Sequence, residues 1–252
     1  MARWKRVALN LAGMLAVALL VDVTGRAIHA PLEKLAIIIW RLLTTEGLLL
    51  DLWHTTRRFL VGYALAVATG VPVGILVGRS RVLAAIFDAP IELLRPIPSA
   101  VVIPLALAYL GIGEQMKVFV VWFGAFWPLL VVTRNGARHI EKQLLDVARV
   151  YHLSPLRTLA AITVPAIVPH VLGATRAALA IALLLAVTVE MIAGGDPTGL
   201  GFFILDSERS FQQGNMLAGI VILAVLGFVA NAAFSLIEKS VTRRRFSYYE
   251  TP

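Results

Sequence analysis

Six apolar stretches recur along this chain of 252 residues, at about 7–21, 59–78, 97–112, 118–133, 171–192 and 216–237. Each approaches the roughly 20 residues that an α-helix needs to cross a hydrocarbon core about 30 Å thick. In lipid the backbone must satisfy its own hydrogen bonds, and stretches of this length do so as helices. The fold class is therefore all-α, a polytopic membrane protein of about six transmembrane helices. Composition agrees: 59% of residues are apolar and 15% charged, against about 45–50% and 25% in soluble domains. Several stretches fall short of full length, so their ends extend into mixed flanking sequence. Segment 83–94 is expected to run into the third span with a break near Pro96 and Pro98. No repeat or linker divides the chain, and residues 1–252 read as one membrane domain.

Charge sets the expected orientation. With the N-terminus in the cytoplasm, fifteen Lys and Arg residues fall on the inside and seven on the outside, an excess that places both termini in the cytoplasm. Five of the outside seven lie within 24–58, where residues 31–45 are amphipathic enough to lie along a membrane surface. The net charge of +8 flanks the spans, which suits a lipid bilayer with anionic headgroups rather than nucleic acid. "MARWKR" before an apolar run could open a signal peptide, but no convincing small-x-small cleavage site follows before residue 30, and an uncleaved first span is the expectation.

Few chemical motifs are present. The chain lacks a phosphate loop and a dinucleotide-binding glycine pattern. It has no cysteine, and its five histidines lack metal-ligand spacing, so no catalytic residue, metal site or cofactor bound by this chain is expected. The pairs Gly111/Gly113 and Gly199/Gly201 sit at span ends, where turns are needed. Gly70, Gly74 and Gly78 form a one-turn stripe of the kind that lets helices approach closely in lipid. Pro72 and Pro104 suggest kinks. Arg176 and Glu190 share a span but lie about 21 Å apart along its axis, too far to pair. Either each reaches an opposite membrane surface, or Glu190 lines or gates a passage. Asn231 suits an interhelical hydrogen bond. The polar stretch 134–165 differs from everything around it. Ile140, Leu144, Ala148 and Tyr151 are expected on one helical face. Ser154 with Pro155 should cap and start a second short helix.

That stretch resembles the "EAA" loop of binding-protein-dependent ABC importer permeases, whose pattern is E-A-A, a glycine shortly after, and I-x-L-P about a dozen residues further on. Here it reads Asp146-Val147-Ala148, His152 in place of the glycine, and Ile162-Thr163-Val164-Pro165. "LRPIPSAVVIPLALAYLGIGE" (94–114), "GAFWPLLVVTRNG" (124–136) and "VEMIAGGDPTGLGFFILDS" (189–207) are similar to the nitrate/sulfonate/taurine-type branch, collinearly over about 52–245.

The resemblance implies a type I ABC importer permease in a bacterial cytoplasmic (inner) membrane, not an enzyme. It would pair with a second copy of itself, two cytoplasmic ATP-binding subunits that hold ATP and Mg, and an extracytoplasmic solute-binding protein. Its cargo would be a small anion such as nitrate, a sulfonate, taurine or a related organic anion, moved by alternating access. ATPase coupling would fall to Asp146, Val147, Ala148, Tyr151, His152, Ser154, Pro155 and Pro165, and a pathway or gate to Glu190, Pro96 and Pro98. The alternative is a secondary transporter or channel subunit independent of an ATPase, which would need a mid-membrane coupling carboxylate that no span here centres.

Overall fold

Proline and glycine stop two of the helices, one just before Pro96 and one at Gly111. A computed structural model describes residues 32–44, 47–193 and 198–246, together with Asp22. The expected span at 7–21 lies outside these described residues. Among them, every regular element is helical: α1 (Leu32–Thr44), α2 (Leu48–Arg79), α3 (Arg81–Leu94), a 3-10 turn (Ser99–Val101), α4 (Val102–Leu110), α5 (Glu114–Arg138), α6 (Lys142–Val150), α7 (Pro155–Thr158), α8 (Val164–Ile192), α9 (Leu200–Arg209) and α10 (Gln213–Phe246).

Four of these stretches are long and apolar enough to cross a membrane: Leu48–Arg79, Glu114–Arg138, Pro155–Ile192 and Gln213–Val241. A fifth is broken. α3 meets the 3-10 turn and α4 at an 83° bend, formed over Arg95–Pro98 as the two prolines suggested. Pro104 falls in the first turn of α4. α2 continues through Pro72.

The centre of the bundle is α2, α5 and α8, joined through Phe59, Ala66, Val121, Ala125, Leu129, Ala178, Ala182 and Ala186. Small residues dominate because the backbones nearly touch. A Cβ on Gly74 would stand 2.8 Å from the Leu130 carbonyl, and one on Gly78 would stand 2.6 Å from that of Arg134. The stripe read as Gly70, Gly74 and Gly78 begins earlier, at Gly62 and Ala66, and all five positions are buried or half-buried. Its role is packing against α5. The amphipathic segment at 31–45 is α1, and it docks on protein: Leu35 and Leu42 bury with Leu217, Ala218 and Ile222 of α10, while Ile37 and Trp40 face outward.

Candidate functional site

Two short helices project from one end of the bundle where α5 stops, and their bend is built by local rules. α6 closes on His152, whose φ of +49° is left-handed. The Leu153 N–H donates to the Ala148 carbonyl (2.9 Å) and the His152 N–H to that of Arg149 (3.0 Å), the bonding of a helix end that favours glycine. The histidine thus adopts the backbone angle that suits the glycine of the sequence pattern, at a cost of about 1–2 kcal/mol. Ser154 then accepts from the Arg157 N–H (3.4 Å), and Pro155 opens α7, as expected. Pro165 has no N–H to return to the preceding turn, and the helix absorbs the gap in one π turn, Leu159–Thr163. From Pro155 to Ile192 the chain is therefore one helical rod of 38 residues.

The expected single apolar face is not what forms. Ile140 precedes α6, and Ala148, only 5% exposed, turns inward beside Arg79 and Leu153. The helix has a narrow inward side, Leu145 and Ala148, because it packs on its own bundle. The outward apolar side is Leu144, Val147, Val150 and Tyr151, the last 74% exposed, continued by Leu156 on α7. Asp146 is engaged by Arg149 at 2.7 Å on the surface.

At the other end of α8 lies a cluster that sequence reading missed. Glu190, two residues from the end of α8, is shut off from solvent at 2% exposed. Arg58 Nη1 donates to it at 2.8 Å, and neither side chain has solvent contact. Thr55 donates to Glu190 at 2.9 Å. Arg58 also donates through Nε to Glu114 (2.9 Å) and through Nη1 and Nη2 to the carbonyl and hydroxyl of Thr198 (2.8 and 2.7 Å). Thr55 and Glu190, joined by Asp51, also cap α9, whose N-terminus has no side-chain cap of its own. The N–H groups of Gly199, Leu200 and Gly201 donate to Asp51 (2.7 Å), Thr55 (2.8 Å) and Glu190 (3.0 Å). Carboxylates at a helix N-terminus are favourable, and here they come from other helices. Gly199, with φ +109°, is needed because a Cβ there would fall onto the Glu190 carboxylate. Arg176 instead donates to Asn231 across to α10 (3.2 Å) and lies 3.6 Å from Glu238, so Asn231 does bond between helices.

Pro96 and Pro98 do not share this site. The break they make sits beside Gly124, whose added Cβ would meet the Ser99 side chain at 2.7 Å. Gly124 is ten residues into α5, about 15 Å along the axis from Glu114. The irregular stretch Arg95–Pro98 is exposed in the single chain at mid-span depth.

The chain is matched over residues 70–243 by the family model described as "Binding-protein-dependent transport system inner membrane component". Among curated proteins, it is 32% identical over 191 residues to SsuC of Bacillus subtilis, which carries an aliphatic sulfonates transport permease name, covering 76% of this chain and 68% of that one. It is 30% identical over 198 residues to the nitrate import permease protein NrtB of Leptolyngbya laminosa, covering 79% and 70%. It is 27% identical over 198 residues to the bicarbonate transport system permease protein CmpB of Synechococcus elongatus, covering 79% and 71%. Among solved structures, the inward-facing MetNI methionine ABC transporter superposes at a TM-score of 0.69 and 21% identity, over 79% of this chain and 98% of that one.

Proposed function

The chain belongs to the family of binding-protein-dependent transport system inner membrane components, and we propose that it couples ATP hydrolysis on partner subunits to the import of a small anion. It is the permease of an ABC importer, a multi-pass inner-membrane subunit and not an enzyme. The anion is of the nitrate, sulfonate or bicarbonate class, the cargo named for the relatives. Both termini face the cytoplasm. Two ATP-binding subunits, holding ATP and Mg, engage the α6–α7 elbow of two copies of this chain, and an extracytoplasmic binding protein delivers the solute.

The observation that carries the coupling reading is the continuous rod from Pro155 to Ile192. A subunit without a nucleotide site receives motion by contact, and this rod links the projecting elbow to the Glu190 cluster at the far side. The outward apolar face of Leu144, Val147, Val150, Tyr151 and Leu156 suits a groove on another protein. The broken span supports pairing of two copies. Irregular backbone at membrane depth is tolerated against protein or a water-filled path and not against lipid, so Arg95–Pro98 would face the second copy or the pathway between them.

Single cysteines at Val147, Tyr151 and Leu156 test the contact in this cysteine-free chain. They should crosslink to a co-purified ATP-binding subunit, whereas one at inward-facing Ala148 should not. In proteoliposomes with ATPase and binding protein, nitrate, sulfonate or bicarbonate uptake should require ATP hydrolysis. Uptake by the chain alone would overturn the reading.

A further inference from the structure

Beside the elbow, where α2 and α5 end, lies a cavity of about 1050 Å³ whose charge the transport reading does not use. Its walls are the α2–α3 corner (Gly78 to Arg81, then Asp88), the end of α5 (Arg138) and the inner side of α6 (Lys142, Asp146, Arg149). Both carboxylates are already committed. Asp88 accepts from Arg138 (2.6 Å) and from Arg134 (3.1 Å), and Asp146 accepts from Arg149 (2.7 Å). Arg79, Arg81 and Lys142 have no hydrogen-bond or ion-pair partner among the described residues. Three uncompensated cations therefore border one concave space, and Arg79 also borders the two smaller clefts under Ala148 and Leu153.

The level of the cavity narrows its occupant. Two long apolar spans end at its rim, which sets it at the boundary between hydrocarbon and water, and Ala84, Ala85, Ile140 and Leu145 give it apolar wall. A compact anion with several acceptor oxygens answers such a set of cations. Basic pockets at this depth hold phosphate headgroups, and each Lys or Arg near the surface contributes about a five-fold gain in binding to an anionic membrane.

We infer that this cavity is a binding site for a phosphate-type anion, either the headgroup of an anionic lipid or free inorganic phosphate, held by Arg79, Arg81 and Lys142. Because one wall is α6, the occupant also ties the elbow to the membrane domain. The inference rests on the cavity's own charges and stands apart from the identity of the cargo.

The full-length chain in phosphatidylcholine nanodiscs doped with spin-labelled phosphatidylglycerol gives one arm of the test, read as the motionally restricted lipid fraction. Calorimetric titration of inorganic phosphate into undoped nanodiscs gives the other. Replacing Arg81→Gln and Lys142→Gln together should weaken retention roughly thirty-fold, while Arg157→Gln, outside the cavity, should leave it unchanged. Lipid retention lost in the double variant identifies the headgroup as the source; a phosphate heat lost in its place identifies free phosphate. If the double variant matches the parent in both arms, or Arg157→Gln weakens binding as much, the cavity is no anion site. Neither result depends on transport, so this test fails separately from the importer reading.

Discussion

A single methyl group at Gly74 tests how tightly α2 and α5 are joined. In Gly74→Ala the new Cβ would stand 2.7 Å from Thr133 Cβ, 2.8 Å from the Leu130 carbonyl oxygen and 3.1 Å from the Arg134 nitrogen. Two of those atoms are helix backbone and cannot swing aside. The carbonyl contact lies more than half an ångström inside the 3.4 Å at which ordinary contact begins. The helices must separate, and that loosens the contacts of Gly70 and Gly78 one turn away on either side. Overpacking of this kind costs about 1–3 kcal/mol, offset by up to about 1 kcal/mol because Ala favours a helix over Gly. Gly173→Ala on α8 isolates the second effect, since a Cβ there meets nothing within 4 Å. Titrating the full chain in dodecyl maltoside with dodecyl sulfate should show Gly173→Ala slightly more stable than the parent. Gly74→Ala should lie about 1–3 kcal/mol below Gly173→Ala. Gly74→Leu, with three further carbons, should fail to assemble. If Gly74→Ala and Gly173→Ala shift together, the close approach of α2 and α5 is wrong.

His152→Gly should relieve about 1–2 kcal/mol at the end of α6, less about 0.4–1 kcal/mol that glycine gains in the unfolded chain; a loss of stability in the same titration would mean that the imidazole makes a contact of its own. For topology, cysteines at Ser154 and Ser240 should label from the cytoplasmic side and one at Glu208 from outside, and outside labelling of Ser154 would reverse the orientation. Ser207 cannot serve as the outer reporter because it is buried. Arg58→Met should cost about 3–5 kcal/mol by leaving the Glu190 carboxylate buried without its cation. Adding Glu190→Met should restore most of that, and a single variant as stable as the parent would mean that the cluster is hydrated.

Features set by neighbours along the chain were legible in sequence. The Ser154-Pro155 start, the break at Pro96 and Pro98, the turns at Gly111 and Gly199, and the glycine stripe all follow from one residue's backbone or side chain. What escaped was set by distant partners. Arg58 reads in sequence as one of two adjacent arginines at a span's outer edge, and only the fold brings it to Glu190, 132 residues away. The cap of α9 was invisible for the same reason, because its acceptors sit on α2 and α8. The α6 face was misassigned because periodicity finds an apolar side without saying whether the chain's own bundle or a partner covers it. Ala148 went inward, and Val147 and Tyr151 outward.

On the proposed coupling reading the rod from Pro155 to Ile192 acts on the Glu190 cluster, and Gly199→Ala tests that link without touching the elbow. The substitution puts a side chain at φ +109° and drives its Cβ into the Glu190 carboxylate. Backbone strain of this kind costs about 1–3 kcal/mol, and it falls where α8 holds the N-terminus of α9. Relief requires Glu190 to release the Gly201 N–H, or the 198–201 segment to move off α2. In either case the α6–α7 elbow keeps its own bonds, since Ser154, His152 and Leu153 make them at the opposite end of the rod. The variant should therefore still crosslink to the ATP-binding subunit from Val147 and still support ATP hydrolysis. Anion uptake per ATP consumed should fall, because motion of the rod no longer reaches α9. Loss of the crosslink would show that the far end is needed for folding of the elbow, and uptake at the parent's yield per ATP would show that α8 does not transmit motion through Glu190.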